Sequence, residues 1–169
     1  MIARRVAALL TVVAIGAIGC GGESGPASTV SSTASTPDPQ QQLEAAVRDA
    51  IRRDHAESVR SLETNEVPAR PVATGGPALA QLRQSVADRR RSGVRVRSLS
   101  QHLRILSVRL DPSYETATAL IRDDQRVQPI KRNGRPLGKP VELHERARLL
   151  LHRVRGDQFV VWQVEVLRR

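Results

Sequence analysis

The chain has 169 residues and a formal charge of +10, from 27 basic and 17 acidic side chains. Its single cysteine excludes an internal disulfide and a multi-thiolate metal site. Three aromatics, Tyr114, Phe159 and Trp162, are too few for a base-stacking platform, so nucleic acid is not an expected partner.

The chain opens with Arg4 and Arg5, then an apolar run from Val6 to Gly19. That run of 14 residues is short of the roughly 20 needed to span a bilayer as a helix. Basic start, apolar run and small-residue end read as a secretory signal over residues 1–19. Ala17-Ile18-Gly19-Cys20 resembles the lipobox of bacterial lipoproteins. That resemblance implies lipidation of Cys20 with acyl chains such as palmitate, and cleavage before it. The alternatives are an ordinary secreted protein and an uncleaved anchor. A diacylglyceryl group supplies the two chains that stable anchoring needs. The expected location is the extracytoplasmic face of the cell membrane.

Residues 20–40 are rich in Gly, Ser, Thr, Pro and Ala and read as a disordered tether. Residues 41–169 form the expected domain. Charge is uneven along the chain: residues 40–66 carry six acids and four arginines, whereas the rest of the domain is strongly basic. Only Lys131 and Lys139 are lysines, an arginine bias that fits a high-GC genome as well as a selected surface.

Residues 41–63 repeat at helical spacing through Leu43, Val47, Ile51, Val59 and Leu62, with Asp38-Pro39 as the start. A loop with Pro68, Pro71, Gly75 and Gly76 precedes a second helix from about Pro77 to Ser92. Its stripe is Leu79, Leu82 and Val86, and Gly93 suits the left-handed stop. Val94–Leu110 reads as one long strand whose apolar parity switches twice, after Val96 and after Ile105. Such a face swap in mid-strand predicts a bulge or bend that curves a sheet. Asp111-Pro112-Ser113-Tyr114 is a turn, Glu115–Val127 a strand, and residues 128–140 a connection around Asn133-Gly134. Val141–Val154 and Gln158–Leu167 are the last strands, joined at Gly156-Asp157. The fold class is α+β: two N-terminal helices packed on a bent four-stranded antiparallel sheet.

That order of elements, with Val160-Val161-Trp162-Gln163-Val164 in the last strand, resembles the NTF2-like superfamily over residues 41–169. It resembles in particular the small NTF2-like domains of bacterial lipoproteins. The best local likeness is Arg146 to Asp157 running into Gln158 and Trp162. The resemblance implies a cone-shaped pocket, used variously for ligand binding, isomerisation, dehydration or dimerisation. No catalytic residue of the family maps onto this chain.

Asp123 and Glu145 share parity with apolar neighbours, which makes them the candidate general acid or base of a pocket. The plainer reading puts both near strand ends or paired to arginines. Lys131, Arg132, Arg135 and Lys139 make the connecting loop a candidate anion site, together with Arg89-Arg90-Arg91 at the end of the second helix. A solvated loop tip and a helix-dipole cap are the alternative. The four histidines show no metal-ligand spacing and read as solvated or locally bonded. Gly75-Gly76 reads as a loop hinge, and Trp162 as core or pocket lining. No P-loop or nucleophile elbow is present. No metal or cofactor is expected.

The function expected is a non-enzymatic binding or interaction module at the cell envelope, meeting an envelope protein, anionic lipid or glycan. The alternatives are a pocket enzyme of isomerase or dehydratase type and a structural homodimer.

Overall fold

A computed structural model describes residues 38–167. The signal segment, Cys20 and the tether up to residue 37 lie outside the described residues. Helix α1 spans Pro39–Thr64 and α2 spans Gly76–Ser92. Strands β1 (Val94–Leu110), β2 (Thr116–Lys131), β3 (Val141–Arg155) and β4 (Gln158–Val166) follow. They form one antiparallel sheet in the order β1-β2-β3-β4, and both helices pack on it. No helix among the described residues is long and apolar enough to cross a membrane.

Asp38 caps α1 by accepting a hydrogen bond from the Gln40 amide, so the helix takes Pro39 and Gln40 from the expected tether. Leu43, Val47, Ala50 and Ile51 are its buried stripe. On α2 the buried positions are Ala78, Leu82 and Val86, and Gly93 closes the helix in the left-handed region as expected. Against these helices the sheet presents Ala117, Ala119, Ala147, Leu149, Leu151, Phe159 and Val161. Each fully buried large side chain, such as Phe159 or Ile51, contributes about 1.5–3 kcal/mol.

The two parity switches of β1 are two register shifts against β2, at Ser98/Ser100 and Ile105/Ser107. Leu99 and Leu106 are the extra residues, about half exposed, so every other inward position keeps its face.

β2 runs four residues beyond Val127. The extension takes in Pro129, which has no N–H to give a ladder. Here β2 has already passed the end of β3, whose first pair is Val141 with Val127, so no residue of β3 stands opposite Pro129 to need its N–H. The chain then turns at Asn133-Gly134 and folds back, with Leu137 N–H donating to Pro129 O.

Thr74 forms a parallel bridge with Val161 and gives β4 a neighbour at its outer edge. Val161 donates to Ala73 O and Gly75 donates to Val161 O. Trp162 is not core: it is 37% exposed and stacks on His152 with ring centroids 4.9 Å apart. A register shift in β4 between the pairs of Leu150 and Leu151 takes Trp162 out of the inward alternation.

Candidate functional site

The inward faces of β2 and β3 change character halfway along. Ala119, Ile121, Ala147 and Leu149 give way to Asp123, Gln125 and Glu145. On α1 the facing stripe is Ile51, Asp54, His55, Ser58, Val59 and Leu62, at helical spacing. Helix and sheet enclose a cavity of about 160 Å³ there. A second cavity of about 180 Å³ adds Glu63, Arg89, Val96 and Leu143. Both are lined by Val59, Leu62, Asp123, Gln125 and Glu145, so they form one groove.

The two candidate carboxylates meet in it. Asp123 and Glu145 are directly opposed cross-strand partners. The longer β2 puts Asp123 mid-strand rather than near an end, which corrects the plainer reading of this residue. Its side chain is 15% exposed and its Oδ2 lies 3.1 Å from His55 Nε2. The Gln125 amide also donates to Oδ2. Oδ1 is buried and has no hydrogen-bond partner. Glu145 is the exposed member of the pair, at the groove's rim. Like charges at opposed positions repel, and an unpaired carboxylate oxygen loses solvation without replacement. The site therefore favours a donor or cation between the two carboxylates.

His55, Gln125 and Glu63 are groove residues that sequence reasoning missed. His55 is no solvated histidine: its side chain is 17% exposed and it contacts Asp123 across 68 residues of chain. Only one signal pointed to it, its place on the apolar side of α1 beside Ile51 and Val59.

Next to the groove, α1 holds the 72–74 segment. Thr74 Oγ1 lies 2.5 Å from Asp54 Oδ1 and 3.2 Å from Glu57 Oε2. The amides of Val72 and Ala73 donate to Glu57 at 3.3 Å. Burial pushes the Asp54 carboxyl up to about 6; the Glu57 charge adds to the rise, and Thr74 and His55 oppose it.

Lys131, Arg132, Arg135 and Lys139 are all exposed. Of these, Arg132 lines an open concavity of about 390 Å³ with Arg90, Arg95 and Glu66. One arginine from the end of α2 thus meets one from the loop. Asn65 lines the same concavity; its Nδ2 donates to Val94 O, while its Oδ1 is buried without a partner.

Among the described residues no cluster of three metal-ligating side chains occurs. His144 bonds Asp124 at 2.8 Å, and that hydrogen bond is the main cause holding the Asp124 carboxyl below its ordinary range.

No family model matches the chain, and no curated protein matches it. Among solved structures, it is similar to the intermembrane space region of the chloroplast protein ARC6. The likeness covers 78% of this chain and 98% of that one, with a TM-score of 0.55 and 10% identity. At that identity the likeness is one of fold: two helices on a four-stranded antiparallel sheet.

Proposed function

We propose that this chain is a non-enzymatic interaction module of the cell envelope, held to the membrane through Cys20, with an NTF2-like cone. Its groove accepts an anchoring basic side chain from a partner protein. The observation that carries this reading is the opposed Asp123–Glu145 pair with its unpartnered buried oxygen. Size supports it. Pockets for free small ligands run to about 300–1,000 Å³. Chambers of about 160 and 180 Å³ suit one inserted side chain. Val59, Leu62, Ile121 and Leu149 would cover an aliphatic stem, and the carboxylates its charged end. The resemblance to a region of ARC6 is consistent with such a module but names no partner.

Butylammonium and propylguanidinium are minimal probes of the groove. Both are expected to perturb the amide resonances of residues 121–125 saturably, and butyrate to leave them unchanged. Asp123→Asn is expected to weaken either cation about tenfold, the loss of one charge-assisted hydrogen bond. Equal response to butyrate, or an unchanged titration in Asp123→Asn, sinks this reading.

One observation favours a second reading. The His55–Asp123 contact gives a carboxylate with a titratable neighbour, the ingredients of acid–base catalysis on a pocket substrate. Isomerase or dehydratase turnover that Asp123→Asn lowers at least about a hundredfold would decide for it.

A further inference from the structure

The helices pack on one side of the sheet. No described element covers the other, and its residues are fixed by the register. Arg104 lies opposite Arg122, and Arg122 opposite Arg146. Three guanidinium-bearing residues thus stand abreast on β1, β2 and β3, roughly 10 Å from end to end at normal strand spacing. The next row on one side contains Leu120 and Arg148, and the row beyond it pairs Arg109 with Thr118. On the other side His102, Asp124 and His144 stand in line, followed by Ser100, Arg126 and Glu142.

Arg104, Arg109, Arg122, Arg126, Arg146 and Arg148 stand on this face, with Arg97 beyond them on β1, and meet three carboxylates, Asp124, Glu142 and Glu165. All three are engaged: Asp124 accepts from Arg122 Nε, Glu142 lies 3.8 Å from His144 Nε2, and Glu165 lies 3.3 Å from Arg148. Among the described residues Arg104 and Arg146 have no carboxylate partner. Like charges set directly opposite each other on a sheet cost stability. A triple row of them is an arrangement that an external anion would relieve.

We propose that this outer face docks on an anionic phospholipid bilayer, through the row Arg104–Arg122–Arg146. Charge complementarity selects an anion and rejects a second copy, since the face would repel itself. A bilayer fits better than a polyanionic chain for two reasons. The cations spread in two dimensions over several rows, as a planar array of phosphodiesters does. Leu99 and Leu106, 48% and 47% exposed, stand at the two bulges on either side of Arg104 and can enter the headgroup region. Guanidinium groups suit phosphodiester oxygens because they donate in a planar fork. The groove and this face lie on opposite sides of the sheet, so a docked domain keeps its groove open.

The test is flotation of the full chain carrying Cys20→Ser, which has no acyl anchor to hold it on neutral lipid, with large unilamellar vesicles. Vesicles of phosphatidylcholine alone are compared with vesicles containing about a third phosphatidylglycerol. Anionic vesicles are expected to bind more tightly, and the excess to vanish as salt rises to about 0.5 M. Replacing all three residues, Arg104→Gln, Arg122→Gln and Arg146→Gln, is expected to weaken anionic binding about a hundredfold. The corresponding Arg→Lys triple keeps binding within about threefold, which separates charge from packing. The glutamine triple leaves the butylammonium titration of the groove unchanged, so failure here is distinct from failure there. Equal binding to both vesicle types overturns the proposal. So does a glutamine triple that binds like the parent, or a lysine triple as weak as the glutamine one. Binding of inorganic polyphosphate without binding of vesicles assigns the face to a polymer and overturns it as well.

Discussion

Asp54 is where one residue's surroundings matter most. One hydroxyl, that of Thr74, stands between two carboxylates, Asp54 and Glu57, and has a single proton to donate. Burial favours a proton on Asp54, against the pull of the Thr74 hydroxyl, which donates to its carboxylate. The carboxyl, moved from 3.8 to about 6 chiefly by burial, holds that proton more tightly folded than unfolded. Between about pH 4 and 6 the folded chain therefore binds more protons, and this group's contribution to stability falls as pH rises. Asp111 and Asp124 act in the opposite sense. Hydrogen bonds, chiefly from Ser113 and His144, hold their carboxyls low, and their contribution is lost only as pH falls below about 4. Asp54→Asn is expected to remove a pH-dependent loss of order 2 kcal/mol. Urea melts at about pH 5 and 7 check it: the gap between the two should shrink in the variant, and an unchanged gap would exclude Asp54 as its source.

At the scale of elements, the junction between α2 and β4 shows what the glycine pair is for. Gly76 has φ +47°, and a Cβ there would stand 2.4 Å from Trp162 Cε2. The first turn of α2 thus rests on the indole face with no side chain between. Gly76→Ala forces the indole or the helix aside and is expected to cost about 1–3 kcal/mol. It should also disturb the stack of Trp162 on His152, visible as a shift in the fluorescence of the only tryptophan. Gly134→Ala is the reference: its φ is +81° with nothing within 4 Å, so it carries the backbone strain alone. Equal destabilisation by the two substitutions would count against the indole contact. Most elements were legible because their signals are local. The stripe of α1, the Gly93 stop and the irregularity of β1 follow from spacing within the segment itself; that β1 holds two bulges came with the register. The end of β2 was not, because whether Pro129 is tolerated depends on where β3 begins. Trp162 was misplaced for a related reason: a register shift against β3 removes it from the inward set.

For the molecule as a whole, the proposed lipidation of Cys20 is expected to be independent of the folding of the domain. Labelled palmitate is expected to attach to the full chain and not to Cys20→Ser, while both unfold at the same urea concentration; label on the serine variant would exclude Cys20 as the attachment point. Within the domain, the sequence alone determined what depends on neighbours along the chain: the two helices, the four strands, their hairpin order and the irregular first strand. The opposed Asp123–Glu145 pair, the approach of His55 and the row Arg104–Arg122–Arg146 came only with the tertiary structure. Parity assigns a strand residue to a face, but says nothing about which residue of the next strand stands beside it. That is set by register, and register by where each turn closes and where each bulge falls. Charges spaced 18 to 24 residues apart along the chain become neighbours by that geometry alone.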